Sequence, residues 1–226
     1  MEAAGIQSLF AEIGGRFCIP AVDIQRKLED IKAFVFDWDG VFNDGSKRDQ
    51  TGSGFTEPDA MGTNMLRFSY WLKRKSLPTT AIITGEENES ALFLGKRERF
   101  TSLYFKASNK LKSFEHFLAT HHLKSNEVAF FFDDVLDMSL ASQCGLRLNS
   151  YRPSNPLFNH HLTSKQLVDY SSSGQSYAVR EGCELLIGLQ GNYTEAITNR
   201  QHFSETYQSY LATRQKIDTQ VYTGIS

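Results

Sequence analysis

Four short apolar runs, separated by stretches with helical spacing, constrain the fold of this chain of 226 residues more than any other feature. The runs cover residues 31–36, 80–83, 102–105 and 128–132. Runs so short and so apolar are typical of parallel strands that are buried on both faces. Between them, residues such as Met65, Phe68 and Leu72 are spaced along one face of a helix. The alternation predicts an α/β fold with a doubly wound, Rossmann-like parallel sheet.

Turn residues interrupt this alternation after the first predicted strand. The clusters at 43–45 and 52–54 lie close together, and they predict a β-hairpin flap over about residues 41–58. The predicted organisation is an N-terminal extension, a central domain and a helical tail, at residues 1–29, 30–190 and 191–226. Four apolar residues of the tail have the spacing of one helical face: Phe203, Tyr207, Tyr210 and Leu211. This face would pack either on its own domain or on a neighbouring subunit.

The charge and cysteine content argue against several classes of protein. Lysine and arginine number 24 against 26 acidic residues, and no basic stripe is visible, which argues against a nucleic-acid partner. The three cysteines lie far apart without CxxC spacing, so they suggest neither a disulfide framework nor a zinc site. No apolar run reaches the roughly 18 residues of a membrane span, and Glu2 stands where a secretion signal favours positive charge. We therefore expect a cytoplasmic protein without a membrane partner.

The first predicted strand ends in two acids one residue apart, Asp37 and Asp39, which are followed by Gly40. Ligands of open α/β sheets bind at the carboxyl ends of strands. Two carboxylates in one place repel each other unless a cation or a shared proton intervenes, and Mg²⁺ prefers hard oxygen ligands. The pair therefore indicates a magnesium site, although Asp and Gly are also the common residues of a surface turn.

Other predicted strand ends carry groups that suit phosphoryl transfer. Thr84 and Gly85 follow the second strand, where a hydroxyl and a flexible backbone could hold a phosphate oxygen. Lys110, at a predicted helix start, offers a cation that would offset the charge of a transferred group. Asp133 and Asp134 follow the fourth strand. Alone, each residue is explained as a turn residue, a solvated lysine or a helix cap, but their order along the chain favours a joint role.

This ordered set resembles the four motifs of the haloacid dehalogenase (HAD) superfamily of phosphohydrolases. Residues 31–190 resemble in particular its capless sugar-acid phosphatases, typified by 3-deoxy-D-manno-octulosonate (KDO) 8-phosphate phosphatase. The segments that carry the resemblance read FDWDGV, DG, AIITG, SNK, AVRE and CEL, at residues 36–41, 44–45, 81–85, 108–110, 178–181 and 183–185. The resemblance implies a HAD-like fold without a large cap domain, and a magnesium-dependent phosphomonoesterase.

The family mechanism implies a role for each acid of the two acidic motifs. Asp37 would be the nucleophile that attacks phosphorus and forms an aspartyl-phosphate. Asp39 would protonate the leaving oxygen and afterwards activate water. Magnesium would be held by Asp37, by the backbone carbonyl of Asp39 and by Asp133, while Asp134 would orient these ligands.

The other motifs would bind the substrate. Thr84 and Lys110 would hold the phosphoryl oxygens, and the backbone N–H groups of Trp38 and Asp39 would complete the cradle. Arg180 is a candidate for binding a sugar carboxylate, because a guanidinium binds a carboxylate with two hydrogen bonds. A salt bridge from Arg180 to an acid of its own helix explains this residue equally well.

Two positions bear on the choice of sugar. Glu86 stands where the KDO phosphatases usually carry arginine, and with Arg97 eleven residues later it resembles the phosphatases of nine-carbon sugar acids, the 9-phosphates of KDN and N-acetylneuraminate. Eleven residues are about three helical turns, which would place both side chains on one helix face. A helix start that favours acids would also explain Glu86. Both sugar classes, and with them lipopolysaccharide or sialic acid biosynthesis, stay open.

The resemblance also bears on partners. Relatives close their open site by forming homotetramers in which the flap of one subunit reaches its neighbour, so we expect a homo-oligomer here. Phe132 replaces the glycine that usually precedes the acidic pair, and residues 174–177 replace a glycine-richer loop, which could reshape the mouth of the pocket. Two other functions remain open: a non-catalytic assembly or regulatory subunit of a sugar-nucleotide pathway, and a phosphatase of another small metabolite.

Overall fold

The computed structural model describes residues 1–47 and 52–225, which contain one eight-stranded sheet flanked by helices. The strands are β1 (Arg16–Phe17), β2 (Ala33–Phe36), β3 (Thr79–Ile83), β4 (Ser102–Phe105), β5 (Val128–Phe132), β6 (Leu146–Asn149), β7 (Tyr170–Ser171) and β8 (Gln220–Thr223). The helices are α1 (Ala3–Glu12), α2 (Ala21–Leu28), α3 (Glu57–Arg74), α4 (Glu89–Arg97), α5 (Lys110–His121), α6 (Met138–Ala141), α7 (Pro156–Ser164), α8 (Ala178–Gln190), α9 (Tyr193–Gln201) and α10 (Glu205–Arg214). None of these helices is long and apolar enough to cross a membrane.

The sheet has the order β1-β7-β6-β5-β2-β3-β4-β8, and all neighbouring strands are parallel except β1, which runs antiparallel to β7. From β2 the chain winds outward through β3 and β4, and then returns to the other side of β2 with β5. The strand order therefore reverses between β2 and β5, and this topological switch point is where doubly wound sheets bind ligands. The predicted fold class is confirmed, and the four predicted strands are β2 to β5.

Alternating side chains divide the core into two layers, one on each face of the sheet. Phe34 and Phe36 of β2 belong to the layer beneath α3 and α8, while Val35 belongs to the layer beneath α5. Strand β5 is buried along its whole length in the same way, with Phe131 on the first face and Phe130 on the second. Burial on both faces explains why these strands read as continuous apolar runs in the sequence.

The terminal segments share this core. Helices α1 and α2 pack on α8, β1 pairs with β7, and β8 pairs with β4. In the tail, the rings of Tyr207 and Tyr210 both lie 5.0 Å from that of Phe68 in α3. Of the two alternatives for the tail, the structure therefore shows packing on its own domain. The boundaries at residues 30 and 190 stay a prediction.

The flap connects β2 to α3 without a cap domain in the described residues. Residues 41–47 include turns and bends, residues 52–56 are irregular, and neither segment contains a strand of the predicted β-hairpin. Residues 48–51 of the flap lie outside the described residues. The side chain of Asn43 accepts hydrogen bonds from the N–H groups of Gly40 and Gly45 and donates one to the carbonyl of Gly54. These bonds stand in place of some of the backbone hydrogen bonds that a hairpin would form. Thr56 ends the flap by capping α3.

Candidate active site

Three buried or partly buried carboxylates meet at the switch point. Asp37 follows β2, Asp133 follows β5, and Asp137 lies in a short 3₁₀ turn after β5. One oxygen from each lies within 4.8 Å of the others. The N–H of Asp37 donates to the carbonyl of Phe131 at 2.9 Å, which ties the end of β2 to β5. The two central strands therefore fix the spacing of the carboxylates.

Lys110 completes this group from the N-terminus of α5. Its Nζ lies 2.5 Å from Oδ1 of Asp37 and 2.6 Å from Oδ1 of Asp137, and it is only 8% exposed. The side chain of Asn109 caps α5 and so sets where the helix begins. The structure thus brings together three of the predicted residues, Asp37, Lys110 and Asp133, and adds Asp137.

The electrostatics of this group favour a cation. Burial raises the pKa of Asp37 well above its ordinary value, and the charge of Asp137 raises it further, against the opposing effect of Lys110. Burial, together with the charge of Asp137, likewise raises the pKa of Asp133 to about 7. For Lys110, burial acts to lower the pKa, but the charges of Asp37 and Asp137 outweigh it and raise that pKa. Three carboxylates facing one ammonium leave negative charge that a further cation would neutralise.

The residues present fit a magnesium ion. All three side chains offer carboxylate oxygens, the hard ligands that Mg²⁺ prefers. Gly40 leaves room for the Asp133 carboxylate, because a Cβ at this position would lie 1.8 Å from Oδ2 of Asp133. The φ of Gly40, +85°, also suits glycine. A side chain at this position would displace the Asp133 carboxylate. The metal role of the Asp39 backbone carbonyl stays a prediction.

The side chains of Trp38 and Asp39 face the flap. Trp38 is fully buried, and its indole Nε1 donates to Oγ of Ser53 at 2.9 Å, so only its backbone remains for the predicted cradle. Asp39 accepts a hydrogen bond from the Ser53 hydroxyl through Oδ1, and its Oδ2 lies 3.9 Å from Nζ of Lys47. Asp39 is therefore held by flap residues, while Asp37 is held by strands and Lys110.

Thr84 occupies the end of β3, beside β2. It is buried, its N–H donates to the carbonyl of Tyr104 at 3.0 Å, and its carbonyl accepts from Ala107 at 3.1 Å. Gly85 follows it in an exposed bend. These backbone bonds fix the position of Thr84 relative to β4 and to the loop that leads to α5, whereas its predicted bond to a phosphoryl oxygen stays a prediction.

Glu86 and Arg97 do not share a helix face, so this prediction is wrong. Helix α4 begins at Glu89, where Asn88 caps it, so Glu86 precedes the helix and its side chain is 68% exposed. Arg97 is engaged elsewhere: its guanidinium binds both carboxylate oxygens of Glu57, at 2.6 and 3.2 Å. Glu86 lies before the capping residue Asn88, so the helix begins three residues after Glu86.

Arg180 and Asp134 are engaged within their own elements. Arg180 forms the salt bridge to its own helix, with Nη2 at 2.5 Å from the Glu184 carboxylate. Asp134 is exposed, and its Oδ1 accepts from the N–H of Val135 at 2.7 Å. The carboxylate that joins the central group is instead that of Asp137, three residues later. The predicted roles of Arg180 and Asp134 stay predictions.

Sequence reasoning missed Arg152, which joins the flap to the end of β5. Its Nε lies 3.4 Å from Oδ2 of Asp133, and its two terminal nitrogens donate to the carbonyls of Gly40, Asn43 and Asp44. Nothing in the local sequence pattern marks this residue, because its partners in the flap lie more than 100 positions earlier. A cavity of about 880 Å³ opens beside it, between the flap, residues 150–154 and residues 174–178.

This cavity adjoins the carboxylate group without containing it. Gly40 and Arg152 line the cavity and also contact Asp133, whereas Asp37, Thr84 and Lys110 do not line it. The cavity is therefore space next to the reacting groups.

No family model matches the chain. It is 29% identical over 178 residues to the 3-deoxy-D-manno-octulosonate 8-phosphate phosphatase KdsC of Escherichia coli strain BL21-DE3, an alignment that covers 78% of this chain and 89% of that protein. A Legionella pneumophila structure described as a HAD superfamily (subfamily III A) hydrolase is similar at a TM-score of 0.64 and 26% identity, over 80% of this chain and 95% of that one.

A third comparison concerns the fold. The structure of a 3-deoxy-D-manno-octulosonate 8-phosphate phosphatase from Moraxella catarrhalis, in complex with magnesium, phosphate and KDO, is similar at a TM-score of 0.64 and 23% identity, over 78% of this chain and 97% of that one. Together with the acids at the ends of β2 and β5, these similarities place the chain close to the HAD-superfamily hydrolases in sequence and fold. The chain resembles the KDO 8-phosphate phosphatases in particular, and its described residues contain no cap domain.

Proposed function

We propose that the chain is a magnesium-dependent phosphomonoesterase that hydrolyses the phosphate of a small sugar acid. The observation that carries the proposal is the buried ion pair of Asp37 and Lys110 beside Asp133 and Asp137 at the switch point. A structural ion pair would not need a third and a fourth charged group in the same place. Groups with perturbed pKa values in one location are typical of active sites.

In the proposed reaction, Asp37 attacks phosphorus through a carboxylate oxygen. The new O–P bond forms as the bond from phosphorus to the sugar oxygen breaks, and that oxygen takes its proton from Asp39. Water then attacks the aspartyl-phosphate and gives its proton to Asp39, which releases phosphate and regenerates both acids. Lys110 holds the Asp37 carboxylate through one oxygen and so fixes its orientation for attack.

Asp37 and Asp133 are the residues that would hold Mg²⁺. When bound, the ion would supply positive charge next to the transferred phosphoryl group. The donor set supports this proposal: among the described residues, the salt bridge of Asp133 is to Arg152, at 3.4 Å, and not to a lysine. Asp137 accepts from Lys110 and would position that lysine.

The sugar is the finer part of the proposal. The similarity to KdsC supports KDO 8-phosphate as the first substrate to test. One observation favours nine-carbon sugar acids as a second candidate: Glu86, rather than arginine, follows Thr84-Gly85. Glu86 is exposed beside the flap, with Nζ of Lys47 at 3.9 Å, so it would meet only the distal end of a long substrate.

A substrate panel tests the proposal. Phosphate release is measured for KDO 8-phosphate, KDN 9-phosphate, N-acetylneuraminate 9-phosphate, two nucleotides and p-nitrophenyl phosphate, with magnesium and with excess chelator. We expect turnover only with magnesium, and the highest kcat/KM for one of the sugar acids. No turnover of any compound would favour the non-catalytic subunit, and a preference for nucleotides would favour a phosphatase of another metabolite.

The homotetramer is part of the same proposal, and it rests on the resemblance. Light scattering of the full chain measures it directly. A monomer with ordinary activity would contradict the idea that neighbouring subunits complete each other's sites.

A further inference from the structure

We propose that Ser53, in the flap, is a positioning residue that holds the carboxylate of Asp39 in one orientation through a hydrogen bond whose direction is fixed. This inference rests on the proposed phosphatase function, because it concerns the residue that would protonate the leaving group. The Ser53 hydroxyl is bonded to Oδ1 of Asp39 across fourteen positions of chain, and Ser53 is 1% exposed.

Counting donors fixes the direction of the bond. A serine hydroxyl has one hydrogen and two lone pairs. Oγ of Ser53 accepts from the indole Nε1 of Trp38 at 2.9 Å and from Nδ2 of Asn88 at 3.1 Å. An indole nitrogen can only donate, and Asn88 is oriented by its Oδ1, which accepts from the N–H of Ala91 at 3.0 Å. Both lone pairs of Ser53 are therefore used, and its one hydrogen points to Asp39.

Two elements hold Ser53 against movement. Trp38 is fully buried and stacks on Phe42, with 5.0 Å between ring centroids. Asn88 caps α4, and it also donates to the backbone carbonyl of Ser53 at 3.1 Å. The neighbouring Gly52 permits this approach, because a Cβ there would lie 2.6 Å from Nδ2 of Asn88. The donor to Asp39 is thus fixed by the core on one side and by a helix cap on the other.

The consequence for chemistry is geometric. Oδ1 of Asp39 is occupied by a donor that cannot turn away, so Oδ2 is the oxygen left to face the leaving group. Positioning within about 0.5 Å is what a preorganised proton donor requires. Without Ser53, the Asp39 carboxylate would rotate about its last bond, and Lys47, 3.9 Å from Oδ2, would compete for it.

Leaving-group dependence separates this role from a general structural one. An alkoxide needs a proton as it leaves, whereas p-nitrophenolate leaves as a stable anion. General acid catalysis is worth about 10²- to 10⁴-fold, so losing part of it should slow the step that releases the alcohol from KDO 8-phosphate and glycerol 2-phosphate about tenfold in Ser53→Ala, as measured in single turnovers. For p-nitrophenyl phosphate we expect a change of less than about threefold in the step that releases the phenol.

Two further variants keep the test decisive. Ser53→Cys has nearly the same shape but a weak donor, so it should fold and show the same selective loss, of smaller size. Ser46→Ala is the matched control, because Ser46 lies in the same flap and bonds to Asp44 instead of Asp39. We expect it to leave both kinds of substrate unchanged.

The outcomes are distinguishable. Equal losses for alkyl and aryl phosphates in the step that releases the leaving group, in Ser53→Ala and Ser53→Cys, or no loss in either, would overturn the positioning role while leaving the proposed function intact. If the wild-type chain hydrolyses neither kind of phosphate, the proposed function fails, and this inference fails with it.

Discussion

The two acids of the first motif are held in different ways, although one residue separates them. Asp37 sits on the strand-end site, the group of Asp37, Lys110, Asp133 and Asp137, where buried strands and ion pairs fix it. Asp39 depends on the flap, where the Ser53 hydroxyl bonds to its Oδ1 and Nζ of Lys47 lies 3.9 Å from its Oδ2. The comparison indicates that the proposed nucleophile is built into the core, while the proposed proton donor is held by residues outside the sheet.

The largest effect is expected at the strand-end site, from Asp37→Asn. The substitution removes the proposed nucleophile, so phosphatase activity should fall by about a thousandfold or more. It also removes one of three crowded carboxylates, so the melting temperature should hold or rise. Steady-state kinetics and thermal unfolding measure both quantities. A variant that retains more than a few per cent of turnover would contradict the assignment, on the scale that losing a nucleophile implies.

The second-largest effect is expected from removing magnesium with a chelator. The resulting change in melting temperature should depend on pH. Burial raises the pKa of Asp37 and brings that of Asp133 to about 7, so the folded metal-free protein binds protons that the unfolded chain releases. This contribution to stability is present below the ordinary Asp pKa and is lost as the pH rises through about 7. Magnesium binds the deprotonated carboxylates. It should therefore raise the melting temperature more at pH 8 than at pH 5.

The control for this experiment is a pair of asparagine variants. Asp133→Asn should lose most of the magnesium-dependent shift and flatten the pH trend, whereas Asp134→Asn, at an exposed carboxylate, should retain both. If Asp134→Asn abolishes the shift instead, then Asp134 orients the metal ligands, as the family resemblance implies.

The strand-end site and the flap also differ in how far the sequence predicts them. The strand-end acids Asp37 and Asp133 and the strands beneath them are local patterns, because burial on both faces makes each strand a continuous apolar run. Asp137 could have been found from the DxxD spacing of its turn, although such an acid is usually a cap. Arg152 and Ser53 could not, because their partners depend on how separate loops close in space.

The edges of the fold show the same limit. Strand β8 has four residues, three of them mostly exposed, so its sequence carries no continuous apolar run and the tail reads as helical throughout. This segment is a strand because it pairs with β4, and its local sequence does not indicate a strand. Likewise, the sequence predicts a helix start at Glu86, whereas α4 begins at Glu89. The sequence alone does not distinguish an acid-rich segment before the cap from the first helical turn.

A smaller effect is expected in the flap, from Asn88→Ala. The variant loses the cap of α4 and one donor to Ser53, which should cost about 1 kcal/mol of unfolding free energy. The step that releases the alcohol from alkyl phosphates should slow by a few fold, and the release of p-nitrophenol should be less affected. Denaturant unfolding and kinetics on both substrates measure this. A loss as large as that of Asp37→Asn would show that the flap and the strand-end site are one rigid unit.

The smallest effect is expected from Glu86→Arg. The side chain is exposed, so only the distal end of a long substrate would sense it, and the ratio of kcat/KM for KDN 9-phosphate over KDO 8-phosphate should fall by about two- to fivefold. Glu89→Arg, at an exposed position of α4, is the charge-matched control. An unchanged ratio would remove Glu86 from the substrate site and favour KDO 8-phosphate.

The central claim, that Asp37 is the nucleophile and Asp39 the acid and base, is tested most directly by trapping the intermediate. Asp39→Asn should still be phosphorylated by p-nitrophenyl phosphate, which needs no proton for its leaving group, but should activate water poorly. After an acid quench, mass spectrometry of peptides should find one phosphoryl group on Asp37, and none in Asp37→Asn/Asp39→Asn. A burst of p-nitrophenol with the phosphoryl group on another residue, or on none, would contradict the account.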